Sequence, residues 1–72
     1  MSQPINKMAR TRHLILLFLK TVGRPVRTSE IRKFVVAQYP EAAVYGSMGE
    51  LQCAGEIKRL TCERDALFVL GG

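Results

Sequence analysis

The feature that most constrains the fold of this chain is a predicted helix that ends at a glycine and is followed directly by an extended apolar segment. Met48 and Leu51 lie three residues apart, which places them on one face of a helix. Gly55 is the residue type that ends helices in the left-handed conformation, and Ile57 opens an extended segment. The sequence therefore predicts a helix that ends near Gly55 and a strand that folds back over the same core.

The composition is that of one small globular domain. The chain has 72 residues, of which 47% are hydrophobic and 24% are charged, so it is expected to fold. A chain of this size buries only about 60% of its unfolded surface, and its stability is therefore expected to be marginal. We expect a flexible arm over residues 1–8 and a single domain over residues 9–72.

Basic charge is concentrated in the first half of the chain. Residues 1–36 contain eight Lys or Arg and one acid, whereas residues 37–72 contain three Lys or Arg and five acids. A basic half suits a polyanion such as nucleic acid or an anionic membrane surface. The same charge can simply keep a small protein in solution, so the charge alone leaves both interpretations open.

Several functional classes find no support in the sequence. The apolar run Leu14–Leu19 is cut by Lys20 and is shorter than the roughly 7 to 15 residues of a signal peptide or the about 20 of a membrane span. Cys53 and Cys62 form no Cys-x-x-Cys pair, and His13 is the only histidine, so thiol and imidazole ligands cannot complete a tetrahedral metal site. There is no nucleophile beside the histidine and no Gly-rich phosphate loop. We expect a cytoplasmic protein with reduced cysteines that is not an enzyme, needs no cofactor or metal, and does not bind membranes.

Apolar residues at spacings of three and four predict three helices, and capping residues, glycine and proline set their ends. The first helix begins between Asn6 and Thr11 and ends at Gly23. The second is capped by Thr28 and ends before Pro40, because proline cannot continue a helix.

The third helix is predicted from residue 41 or 42 to residue 54, with Val44, Met48 and Leu51 inward. The residues left facing outward are Ala43, Tyr45, Gly46, Ser47, Gly49, Glu50 and Gln52. Each of the two glycines lowers helix stability by up to about 1 kcal/mol relative to alanine. They either clear the outward face for the close approach of a ligand or mark a broken helix, and the sequence leaves both open.

Two strands are predicted at the C-terminal end, over residues 57–62 and 66–70, joined by the loop Glu63–Asp65. Residues 25–27 are predicted to be an extended connection that allows a small third strand. The last strand is apolar on both faces, which implies that the face turned away from the helices is covered by the arm or by a partner.

The predicted elements follow the order helix, short strand, helix, turn, helix, hairpin. This order resembles a winged helix-turn-helix domain of small bacterial or phage-type regulators over roughly residues 9 to 70. The spacing of Met48, Leu51, Gly55, Ile57 and Arg59 resembles the end of the last helix and the first wing strand of such a domain. The resemblance implies an α+β winged helix of three helices and a C-terminal two-stranded hairpin wing. It also implies a sequence-specific transcriptional regulator that binds double-stranded DNA, with the third helix in the major groove and the wing on the flanking backbone. The alternative is a winged-helix protein–protein interaction module that does not bind DNA directly.

The resemblance assigns DNA contacts to three parts of the chain: the outward face of the third helix, the start of the second helix, and the wing. The implied contact residues are Tyr45, Ser47 and Gln52 on the third helix, Arg27, Thr28 and Ser29 at the start of the second, and Lys58, Arg59 and Arg64 on the wing. At the start of the second helix, side chains and free backbone N–H groups would bind a phosphate. Tyr45 can instead rest against the protein, and Ser47 and Gln52 can be plain solvent-facing polar residues.

The position of the basic residues distinguishes the two functions. DNA binding is favoured if Arg27, Lys58 and Arg64 share a face with the third helix, and protein interaction is favoured if they lie opposite it. The third helix itself carries no Lys or Arg. Because one such domain contacts few base pairs, tight binding calls for a homodimer or for cooperative binding on adjacent sites.

Overall fold

The structure is a computed structural model that describes residues 6–71. It contains three helices and a three-stranded antiparallel sheet of strand order β1-β3-β2. The elements are α1 Lys7–Val22, β1 Val26–Arg27, α2 Thr28–Gln38, α3 Val44–Cys53, β2 Ile57–Arg59 and β3 Leu67–Leu70. The predicted α+β class, the three helices, the C-terminal strand pair and the small strand within residues 25–27 are confirmed.

Helix α1 begins within the predicted interval from Asn6 to Thr11. The side chain of Asn6 accepts hydrogen bonds from the backbone N–H groups of Met8 and Ala9, and the helix starts at Lys7. Residues 1–5 of the predicted arm lie outside the described residues, whereas residues 7 and 8, which were assigned to the arm, belong to α1. The helix ends as predicted at Gly23, whose φ of 68° is left-handed.

Helix α2 starts one residue after its cap, and the cap is Arg27 rather than the predicted Thr28. The backbone N–H of Arg27 donates to the carboxylate of Glu30 over 2.9 Å. The Thr28 hydroxyl instead donates to the carbonyl of Ala66, 3.3 Å away in the hairpin. The start of α2 is therefore tied to the C-terminal part of the chain.

Helix α3 is shorter than predicted because residues 39–42 form a turn, in which the N–H of Ala42 donates to the carbonyl of Tyr39. The helix is continuous from Val44 to Cys53, so the interpretation of a helix broken by its glycines is wrong. The outward placement of Ser47 is also wrong. Its side chain is 0% exposed, and its hydroxyl donates to the carbonyl of Met8 over 3.5 Å, because α1 packs over this part of α3.

The two glycines of α3 have different surroundings. A Cβ at Gly46 would lie 3.3 Å from the terminal methyl of Met8, so Gly46 lets α1 pack closely on α3. A Cβ at Gly49 would meet nothing within 4 Å among the described residues. Close helix packing therefore accounts for Gly46 and does not account for Gly49.

Apolar side chains from all three helices and all three strands form one core. Its members are Ile15, Leu19, Val26, Ile31, Val35, Val44, Met48, Leu51, Ile57, Ala66 and Phe68. The inward positions predicted for α3 belong to this core, as does Ile57 at the start of β2. Both C-terminal strands are shorter than predicted. The N–H of Leu60 still donates to the carbonyl of Leu67, but the N–H of Leu67 donates to the hydroxyl of Thr61 instead of to a backbone carbonyl, so the regular ladder ends there.

Replacing each of two glycines by alanine is expected to change the free energy of unfolding in opposite directions. Gly55 has a φ of 77°, and we expect Gly55→Ala to lower the free energy of unfolding by about 1–2 kcal/mol because a Cβ strains that conformation. Gly49 is helical with open surroundings, and we expect Gly49→Ala to raise the free energy of unfolding by up to about 1 kcal/mol. Urea denaturation followed by circular dichroism measures both. A loss of stability in Gly49→Ala would contradict the open surroundings of that position.

Candidate nucleic-acid interface

An open groove of about 680 Å³ lies between α2, α3 and the loop of the β2–β3 hairpin. We call it the α2–α3 groove. Its lining residues are Thr28, Ser29, Glu30, Arg32, Lys33, Tyr45, Arg64 and Asp65. A smaller depression of about 180 Å³ shares Thr28, Tyr45 and Arg64 with it and extends to Gln52 and Arg59. Residues distant in sequence thus meet along one continuous surface.

Helix α3 has one exposed stripe, of which Tyr45 and Gln52 line this surface. Tyr45, Gly49 and Gln52 lie at positions i, i+4 and i+7, and all three are exposed. Tyr45 is 66% exposed, so most of its ring is available to a ligand. The structure brings the predicted contact residues Tyr45 and Gln52 together, whereas the third predicted contact on this helix, Ser47, is buried.

Helix α2 adds two basic residues that the resemblance did not assign. Arg32 and Lys33 are exposed and line the α2–α3 groove. They lie three and four residues after Ser29, so helical periodicity alone places them on the same face as the start of the helix. That spacing was the available signal for both residues.

The hairpin contributes Arg64 and Arg59. Arg64 lines both parts of the surface. The guanidinium of Arg59 donates to the carbonyls of Thr61 and Glu63 at 2.8 and 2.9 Å, which uses part of its donor set to hold the loop. Arg59 therefore shapes the hairpin while its positive charge remains beside Gln52 and Arg64.

The N-terminus of α2 is occupied by a carboxylate from the hairpin loop. Oδ1 of Asp65 accepts from the backbone N–H of Ser29 at 2.8 Å, and Oδ2 accepts from the Ser29 hydroxyl at 2.9 Å. The N–H of Thr28 donates to the carbonyl of Ala66 at 3.0 Å. The backbone N–H groups of Thr28 and Ser29 are therefore not free as predicted, because the hairpin loop already satisfies the donors that a phosphate would use.

Two predicted contact residues lie on the other face of the sheet. Arg59 pairs with the core residue Phe68 and so shares the core side, whereas Lys58 pairs with Val69 and Arg27 pairs with Leu67. The guanidinium of Arg27 donates to the carbonyl of Asp65 and lies 3.7 Å from the carboxylate of Glu63. The basic residues are thus divided, with Arg64 and Arg59 beside α3 and with Arg27 and Lys58 facing away.

Several cations of the groove are not neutralised by carboxylates. The ion pairs within residues 6–71 are Arg12 with Glu50, Arg24 with Glu30, and Arg27 with Glu63. None of these pairs includes Arg32, Lys33 or Arg64. Across the whole surface, four cations face two carboxylates, which leaves an excess of positive charge.

The carboxylate of Glu30 stays ionised at the edge of the groove. A hydrogen bond from Arg24 lowers the pKa of Glu30 most, and the hydrogen bond from the backbone of Arg27 lowers it further. Both contacts stabilise the charged form of the carboxyl. Any stability that they provide is present at neutral pH and is lost as the pH falls through the lowered pKa.

Other kinds of site find no support among the described residues. No group of three His, Cys, Asp or Glu within residues 6–71 is placed to hold a metal ion, and Cys53 and Cys62 are exposed free thiols. No helix within that range has the length and apolar character needed to cross a bilayer. Comparison with protein-family models, curated proteins and solved structures finds no match for this chain.

The contact of Asp65 with α2 gives a second stability prediction. We expect Asp65→Ala to lower the free energy of unfolding by about 1–2 kcal/mol, because the Ser29 N–H and hydroxyl lose their shared acceptor. Glu56→Ala is the matched control, since it removes an exposed carboxylate that makes no side-chain hydrogen bond or ion pair among the described residues. Thermal and urea denaturation compare the two variants. Equal stability of both would show that Asp65 does not anchor the hairpin.

Proposed function

We propose that this protein is a small sequence-specific DNA-binding protein of the winged helix-turn-helix kind that acts as a transcriptional regulator. In this proposal α3 enters the major groove of double-stranded DNA, and the β2–β3 hairpin is the wing on the flanking backbone. One observation carries the proposal. The exposed residues Tyr45 and Gln52 of α3, a helix without a cation, lie along one continuous surface with unneutralised cations of α2 and of the hairpin.

This charge distribution suits a duplex. Lys and Arg beside a helix can bind phosphates at the edge of the major groove, which is about 12 Å wide and admits one helix. Polar side chains at the centre can then meet base edges, and phosphate contacts fix the register without carrying sequence information. Arg32, Lys33 and Arg64 are the proposed phosphate contacts, and Tyr45 and Gln52 are the proposed base contacts.

The proposal carries further consequences for how the protein works. It is a binding protein rather than an enzyme, and it regulates by occupying a site in the cytoplasm, where Cys53 and Cys62 stay reduced. A single domain of this size contacts few base pairs. Binding as a homodimer or cooperatively on adjacent sites supplies the remaining affinity.

A second candidate function is protein interaction without direct DNA binding. The observation that favours it is a separate apolar depression lined by His13, Leu16, Leu17, Lys20 and Leu70, none of which lines the α2–α3 groove. Leu17 is 44% exposed and Leu70 is 42% exposed. The outward position of Arg27 and Lys58 also fits this function better than it fits DNA binding.

A salt titration separates the two functions. We expect the protein to bind a fluorescent random-sequence duplex at low salt, with three to four phosphate contacts giving a loss of about 40-fold to 150-fold in affinity between 50 and 200 mM salt. Fluorescence anisotropy provides the measurement, and a neutral polymer of the same length serves as the control. No binding at 50 mM salt would overturn the proposal and favour the protein-interaction function. Binding that does not change with salt would contradict the phosphate contacts.

A further inference from the structure

Gly49 has no explanation within the described part of the fold. It lies in the interior of α3, its backbone is helical rather than left-handed, and a Cβ would meet nothing within 4 Å. A glycine at such a position lowers helix stability by up to about 1 kcal/mol relative to alanine, in a domain for which chain length predicts marginal stability. The missing side chain therefore reduces stability without improving the packing of residues 6–71.

The position of Gly49 is also the centre of the exposed stripe of α3. Tyr45 precedes it by one turn, and Gln52 follows by three residues on the same face. Both neighbours line the surface that also holds Arg64. The absence of a Cβ leaves a shallow notch between two longer side chains, with the helix backbone at its floor.

We infer that this notch determines base specificity by binding the C5-methyl group of a thymine in the major groove. The inference rests on the proposed function. The notch is small and its floor is the Cα of Gly49, and the thymine methyl is the apolar group that the major-groove edge of a base pair presents. Gln52 beside it has the donor and acceptor pair that binds N6 and N7 of adenine. The two residues together select an A·T pair at the centre of the site.

The test compares wild type with Gly49→Ala on a duplex selected by wild type from a random library. The same duplex is also made with deoxyuridine in place of each thymine in turn, which removes only the methyl group. We expect one replacement to weaken wild-type binding about fourfold, the value of one buried methyl-sized group. We expect Gly49→Ala to bind the selected duplex about tenfold more weakly, as for a mismatched base pair, and to be insensitive to that replacement.

Two controls keep the outcomes distinct. Gly49→Ala is expected to be at least as stable as wild type, so unfolding does not explain a loss of binding. Thr21→Ala raises helix propensity at an exposed position of α1 that does not line the groove, and it is expected to bind as wild type does. If wild type binds the selected duplex and Gly49→Ala binds it equally well with the same response to deoxyuridine, the inference is overturned while the proposed function stands. If wild type binds no duplex, the proposed function itself fails.

Discussion

The double variant Arg32→Glu, Arg64→Glu is expected to bind duplex DNA about 100-fold more weakly than wild type at 50 mM salt. The two residues line the α2–α3 groove from different elements, α2 and the hairpin loop, and neither is paired with a carboxylate among the described residues. Each lost phosphate contact also lowers the salt dependence of log K by about 0.9, so the slope is expected to fall by roughly 2. Fluorescence anisotropy over a series of salt concentrations measures both quantities.

The double variant Lys20→Glu, Lys58→Glu is the matched control for this experiment. It changes the net charge by the same amount, but Lys20 lines the apolar depression on α1 and Lys58 lies on the outer face of the sheet. We expect its affinity to remain within about threefold of wild type, because exposed charges beyond the Debye length, about 14 Å at 50 mM salt, are largely screened. Equal losses in the two double variants would mean that net charge rather than the α2–α3 groove attracts the DNA.

Leu51→Ala is expected to lower the free energy of unfolding by about 2–5 kcal/mol, the range for truncation of a buried leucine. Leu51 is 1% exposed and lies in the core that joins α3 to α1 and the sheet. Stability of roughly 0.05–0.15 kcal/mol per residue is typical of small domains, so this loss is a large share of the total. Urea denaturation followed by circular dichroism is expected to show a much lower midpoint.

Leu17→Ala provides the same chemical change at a partly exposed position. Leu17 is 44% exposed, and we expect a loss of less than about 1 kcal/mol because little apolar surface returns to water. This comparison separates burial from the helix propensity of leucine. A loss in Leu17→Ala as large as that in Leu51→Ala would contradict the position of the core.

Local sequence signals were sufficient for most of the elements. Gly23 and Gly55 end their helices in the left-handed conformation that favours glycine, and both positions were predicted. The spacing of Met48 and Leu51 gave the inward face of α3, and Ile57 gave the start of β2. These signals act over a few residues, which is why they can be recognised without the tertiary structure.

The errors arise where distant segments meet. Ser47 was predicted to face outward because the helical pattern of α3 does not include the contact with Met8, 39 residues away in sequence. The donors of Ser29 were predicted to be free because Asp65 follows them by 36 residues. Both contacts depend on how α1 and the hairpin dock onto the other helices, and no local periodicity encodes that arrangement.

The site was predictable only in part for the same reason. Tyr45, Gln52, Arg59 and Arg64 lie along the candidate surface, whereas the outward position of Lys58 follows from the register of β2 with β3. A shift of one residue in that register would exchange the faces of Lys58 and its neighbours. The hairpin sequence alone does not fix this register.

The most direct test of the central proposal is a titration of the isotope-labelled protein with duplex DNA, followed by the amide chemical shifts in NMR spectra. We expect the largest changes at the exposed stripe of α3, the first turns of α2 and the hairpin loop. The reporting residues are Ser29, Lys33, Tyr45, Gly49, Gln52 and Arg64. Changes confined instead to His13, Leu17 and Leu70, or no change at any DNA concentration, would contradict the assignment of the α2–α3 groove as a DNA-binding surface.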